Sequence, residues 1–395
     1  SVVEAVSSRL VLVGRYEQAA DMYSGIDMWK EAIDVCIAGG IWKKAQWLAK
    51  EYLPAYASEV DRLYAMSLKD GGDNSDVSAL LQLDIDAGLK MMADRGEWEA
   101  CLTEAEQHGE AYADKYAATY AAVLCQEHRP LLALNVFVKY GAPANEANYN
   151  VYRKMISDIF AMDVESVTYK EWASLRDVLL KLTLLQQHSS APEGLQVEFA
   201  RFLTICHFCA MKTACTGIGA LVEIGTKVTV AMLRYTDQLP ADKAFYEAGT
   251  ACRALGWDSM AFVFLNRYLD LNEAIEERDL GGLDNVDFLN TDVPFEIPLP
   301  EDQFLDDATQ QDVRDYVLAV SMDQKTTAEL DKDARGTYVA SLTCANTNRT
   351  YPLCIVSGYP VLGNAVQFGD KVANKEDWNR FIMATKTTAN PMLQD

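Results

Sequence analysis

An aromatic ring followed three residues later by alanine recurs at a fixed interval near the start of this 395-residue chain. Tyr16 precedes Ala19, Trp29 precedes Ala32 and Trp42 precedes Ala45, and the three rings stand thirteen residues apart. Residues at i and i+3 share one face of a helix. The small alanine lets a neighbouring helix approach while the ring fills the gap beside it. Thirteen residues hold one helix and its turn, so a hairpin takes about 26, shorter than the ~34 of a regular tetratricopeptide repeat. Gly96-Glu97-Trp98-Glu99-Ala100 and Gly256-Trp257 echo the pattern. The expected fold class is therefore mainly α: a tetratricopeptide-like, irregular α-solenoid. Each hairpin of such an array buries its apolar face only against its neighbours and leaves an extended surface suited to binding other proteins.

Apolar residues at helical spacing continue through 79–93, 110–126, 131–139, 195–214, 221–235, 241–254 and 260–275. Trp172, Leu175, Val178, Leu179, Leu182 and Leu185 make one stripe, and Pro130 fits a first helical turn. The array is expected over 1–280. Gly281-Gly282 opens a connector over 281–302 that contains Val293-Pro294-Phe295-Glu296-Ile297-Pro298-Leu299-Pro300. Its prolines forbid helix. The alternation of Phe295, Ile297 and Leu299 predicts a segment laid along a surface. Over 303–333, Val313, Tyr316, Val317 and Val320 predict one amphipathic helix and a linker. The last segment, 334–395, changes character: 338–343 reads as a strand, and a short helix is expected around Trp378 and Phe381.

A net charge of −23 argues against nucleic acid, since phosphate binding needs clustered Lys and Arg. Residues 268–333 hold 19 acidic and 4 basic side chains, whereas 334–395 hold 4 acidic and 6 basic. That asymmetry marks a boundary, and the acidic run reads as a solvated face. No apolar run approaches a membrane span, so direct membrane insertion is not expected. The nine cysteines are scattered and read as reduced, mostly buried thiols. A chain starting at Ser1 without a signal sequence reads as a fragment of a longer cytosolic protein.

Catalytic signatures are lacking. The four histidines, His108, His128, His188 and His207, stand beside no nucleophile motif. Cys206-His207-Phe208-Cys209 has CxxC spacing but no second pair, and core packing is the expected role. Gly217-Ile218-Gly219 with Gly225 misses the dinucleotide fingerprint. No catalytic residue, cofactor or metal is expected.

Two resemblances extend this reading. Cys354-Ile355-Val356-Ser357-Gly358-Tyr359-Pro360-Val361 resembles the first loop of the U-box family, the metal-free relatives of the RING fold found in a class of ubiquitin ligases. Asn374-Lys375-Glu376-Asp377-Trp378-Asn379-Arg380-Phe381 is similar to that family's central helix, and Asn390-Pro391 stands where its second loop has proline. The resemblance implies a small α+β domain without metal over 334–395. It implies a shallow apolar groove for ubiquitin or a ubiquitin-conjugating enzyme, with Ile355, Phe381 and Pro391 as contact candidates and Trp378 in the core.

The aromatic–alanine repeats, the 294–300 connector and the 357–361 and 377–381 tail segments together resemble a large helical-repeat subunit of intraflagellar transport complex B. That resemblance implies β-propellers and further repeats ahead of Ser1, other transport subunits as partners, and a place in the cilium or flagellum, basal body and cytoplasm. A non-catalytic scaffold with a ubiquitin-engaging tail is the expected function. Ubiquitin ligase activity of the tail is the alternative.

Overall fold

A computed structural model describes residues 2–71, 76–188, 191–322 and 329–385. Those residues form eighteen α-helices, several short 3-10 turns and one two-stranded sheet. The chain divides into two compact units, 1–120 and 121–395.

In the first unit the repeat rings open their helices. α2 (Tyr16–Ser24), α3 (Trp29–Ala38), α4 (Trp42–Tyr52) and α8 (Trp98–His108) each begin on the aromatic. Two residues earlier the backbone turns left-handed, at Gly14, Asp27, Gly40 and Gly96. Such a residue ends the helix before it. Ala19, Ala32 and Ala45 are fully buried. The rings reach across the next hairpin: Trp29 stacks on Tyr52 with centroids 3.8 Å apart, and Trp42 on Tyr64 in α5 (Pro54–Asp70) at 5.1 Å. Trp98 stacks on Tyr120 in α9 (Glu110–Gln126) at 4.7 Å. An antiparallel neighbour brings its far end to the start of the preceding helix, which is why ring and partner lie about 22 residues apart in sequence.

The single helix expected over 79–93 is two. α6 (Val77–Leu83) and α7 (Ile85–Asp94) meet at Asp84, whose backbone is extended and whose side chain accepts from the Ala87 N–H. Asp competes with helix for local backbone donors and is a strong N-cap. At Gly88 a Cβ would stand 2.6 Å from the Leu81 side chain, so the glycine permits the close fold-back.

The second unit pairs successive helices: α10 (Pro130–Tyr140), α11 (Tyr149–Ala161), α12 (Tyr169–His188), α13 (Glu193–Cys215), α14 (Val222–Ala231), α15 (Ala241–Ala254), α16 (Asp258–Glu277) and α17 (Asp307–Met322). Five members of the α12 stripe are buried and Leu185 is exposed. The connector lies against α15 and α16, sharing a core with them through Phe288, Val293 and Ile297. Within the proline-rich stretch the buried anchors are Val293 and Ile297 and Phe295 faces solvent, so the alternation did not choose the buried residues. Side chains hold the connector's backbone and the residues just after it instead: Arg267 donates to the Asp284 carbonyl and Asp242 accepts from the Phe304 N–H.

Residues 338–343 form no strand. Only isolated bridges join Lys332 to Tyr338 and Thr343 to Thr350. Side chains take backbone donors that a ladder would use, since Asp292 accepts from the Leu342 N–H and Asp333 from the Arg335 N–H. The strands lie later, β1 (Ala365–Phe368) and β2 (Lys371–Asn374), antiparallel with Val366 opposite Ala373. α18 (Lys375–Thr385) follows as expected, with Trp378 buried against Phe368 at 4.4 Å. The Trp29→Ala variant is expected to lose about 2 kcal/mol from removal of a half-buried stacked ring. Urea unfolding monitored by circular dichroism measures it, with Leu132→Ala, at an exposed position, as the near-neutral control.

Candidate functional site

Tyr338, Ala340 and Leu330 lie in the same hydrophobic core as α15 and α16, so the terminal segment is built onto the helices of its own unit. Two buried basic side chains from those helices grip its backbone. His207, in the middle of α13, is 1% exposed and its Nε2 lies 2.6 Å from the Ile355 carbonyl. A carbonyl only accepts, so the neutral ring carries its proton on Nε2. Nδ1 is buried without a hydrogen-bond partner. Burial pushes the His207 pKa down to about 4; its bond to Ile355 opposes that shift and the nearby Arg176 charge adds to it.

Arg234 sits in the 3-10 turn after α14 and donates from Nη1 to the Gly358 carbonyl at 2.8 Å and from Nη2 to the Ala340 carbonyl at 2.5 Å. Both bonds are buried. Gly358 has φ of 72°, and a Cβ there would stand 2.5 Å from the Ala231 Cβ. Glycine is therefore required twice at this position, for its backbone and for the approach of the loop to α14.

A chain of charges closes the other side. Asp377, at the start of α18, is 4% exposed, accepts from Ser357 Oγ at 2.7 Å and pairs with Lys227 at 3.2 Å. Lys227 also pairs with Glu223 at 2.9 Å, and Glu223 in turn pairs with Arg380. Burial lowers the Lys227 pKa, but the bond to Glu223 and the charge of Asp377 outweigh it and the net direction is up. Glu223 is held below the usual carboxylate range, first by its bond from Lys227, with Arg380 adding to it.

Hydrogen bonds also fix the loops internally. Arg335 donates to Asp333 and to the Ser341 carbonyl, and Asn346 donates to the Arg335 carbonyl. Thr337 Oγ1 lies 3.4 Å from Cys344 Sγ, and the Asn374 N–H points at Cys354 Sγ at 3.2 Å. Bonds from Thr337 and Thr347 bring the Cys344 thiol down to about 7. Burial drives the other way in α13, raising Cys206 well above and Cys209 to about 12.

Of the three contact candidates, Ile355 is 3% and Phe381 9% exposed, both on the inner side of the terminal segment. Pro391 lies outside the described residues. Among the described residues of this segment, the large apolar side chains that are exposed are Leu362 and Met383. Sequence reasoning placed His207 in the core but missed its bond to Ile355, and it missed Arg234 altogether. The available signal was a lone arginine inside an otherwise apolar stretch, Val230 to Tyr235.

No protein-family profile matches this chain. The curated human protein named intraflagellar transport protein 172 homolog is 42% identical across the whole chain, which spans 23% of that protein's length. Along its whole length the chain is similar in sequence to this 172 protein. The Caenorhabditis elegans intraflagellar transport protein osm-1 is 36% identical over 95% of the chain, and Chlamydomonas reinhardtii intraflagellar transport protein 172 is 29% identical over 98%. The chain thus spans under a quarter of the length of these relatives, a share consistent with a C-terminal region of such a protein.

Arg234→Met removes two charge-assisted bonds and leaves two buried carbonyls without donors. A loss of about 3–5 kcal/mol is expected in denaturant unfolding of the full chain. A second expectation concerns pH. The folded pKa of His207 lies below its ordinary value near 6.5, so the unfolded chain takes up the proton first. Its contribution is complete above about pH 6.5 and is lost as pH falls toward 4. His207→Gln keeps an N–H donor and cannot titrate there. Its stability should therefore fall less than the parent's across that window, by up to about 3 kcal/mol, in chemical denaturation at stepped pH.

Proposed function

We propose that this chain serves as a protein-interaction segment of an intraflagellar transport subunit in the cilium or flagellum, with the helical array as scaffold and the terminal unit as a U-box-like module. Similarity to the 172 proteins along the entire chain carries the transport reading. A helical array offers a broad surface on which other transport subunits dock. The expected test is affinity purification of the tagged full chain from a ciliated cell. Co-purification of other transport subunits at stoichiometric yield is the supporting result, and their absence from a folded, expressed chain would remove the reading.

The module reading draws its support from the loops. Where RING-type domains use metal ligands, hydrogen bonds through Asp333, Arg335 and Asn346 and through Ser357 and Asp377 hold the corresponding turns together. α18 follows the 354–361 loop in sequence, and a central helix after the first loop is what the U-box resemblance implies. Such a module recruits by surface complementarity: a ubiquitin-conjugating enzyme or ubiquitin itself docks, and no side chain of the module enters the chemistry. In the ligase version, the module holds a charged conjugating enzyme so that ubiquitin passes from the enzyme's thioester to a nearby lysine amine. Titration of isotope-labelled ubiquitin, free and conjugated to its enzyme, with the full chain should move a contiguous set of resonances. An unchanged spectrum with a folded chain at several hundred micromolar would sink the ubiquitin reading.

A further inference from the structure

We infer that α13 and α14 hold the first loop of the terminal unit in a self-occupied state, so that docking on these helices and capture of a ubiquitin-conjugating enzyme by this loop exclude one another. The inference rests on the recruitment reading above and adds a regulatory contact to it. Four observations carry it. The loop presents Ile355 inward, 3% exposed, with its carbonyl on His207. The next turn of the loop is closed on α14, because Gly358 fits against Ala231 and Phe208 with no room for a Cβ. Arg234 pins the carbonyl of that same glycine. Phe381 is 9% exposed on α18, the helix tied to α14 through Asp377–Lys227 and Arg380–Glu223.

An incoming protein that reads the loop at 354–358 therefore meets it free only after the helices let go of the Ile355 and Gly358 carbonyls. The apparent affinity of such a partner is its intrinsic affinity scaled by the fraction of chains in the released state. The polar contacts between helices and loop centre on His207, Arg234 and the Lys227–Asp377 pair, with Gly358 seated on Ala231 and Phe208, and the helix-side partner of each can be changed without altering the recognition loop.

The test compares the full chain with Ala231→Leu, which places bulk in the space Gly358 fills, and with Arg234→Ala. Hydrogen exchange over 354–358 establishes release, and circular dichroism establishes that the helices persist. The probe is a ubiquitin-conjugating enzyme charged with ubiquitin, and the readout is its affinity and the rate of modification of the chain. At least a tenfold gain in both released variants is expected. Equal affinity in the parent and the released variants would overturn the inference while leaving recruitment standing. No binding in any of them would remove recruitment, and the inference with it. If Arg234→Ala fails to fold, Ala231→Leu alone decides.

Discussion

Arg234 carries a guanidinium into the interior of the second unit and finds main-chain carbonyls there, one from Ala340 and one from Gly358. These carbonyls belong to different loops of the terminal segment, and His207 holds a third at Ile355. Three fixed points on one short segment leave it little freedom. That dependence follows from size: strands of four residues and a single eleven-residue helix bury too little apolar surface to stand alone. The segment therefore borrows its core, with Tyr338 and Ala340 completing a cluster begun by α15 and α16. Charge completes the borrowing, since Asp377 tolerates burial only with Lys227 and Ser357 beside it.

Legibility in the sequence tracked how local each feature is. The thirteen-residue spacing of Tyr16, Trp29 and Trp42 reports helix starts faithfully, because a left-handed residue, one spacer and a ring form a signal contained within three positions. Asp84 is also local, yet the apolar period across it hid the break, because a capping side chain overrode propensity. The apparent strand at 338–343 failed for a tertiary reason: Asp292, far away in sequence, takes the Leu342 donor that a neighbouring strand would need. The hold of His207 and Arg234 on the terminal segment was invisible because a histidine inside an apolar helix and an arginine in a turn look the same whether solvated, paired or holding a backbone 106 to 148 residues on. Ile355 and Phe381 were singled out by resemblance, and the fold turns both inward.

Within the second unit the terminal segment joins the helices through a shared apolar core and through buried polar contacts. Stacked rings such as Trp29 on Tyr52 fix hairpin geometry in the first unit. In the second unit the module's position is set by groups whose strength depends on staying dry, His207, Arg234 and Asp377 among them. A contact that weakens sharply once water enters suits a part meant to be held until something displaces it.

The terminal segment and α13–α14 complete one another. Hydrogen exchange on a chain ending at residue 333, compared with the full chain, reads that dependence. Amides at 205–209 and 228–234 should exchange at least tenfold faster in the shortened chain, because Phe208, Ala231 and Arg234 lose their cover. Unchanged exchange in those helices would show that they are complete without the terminal segment.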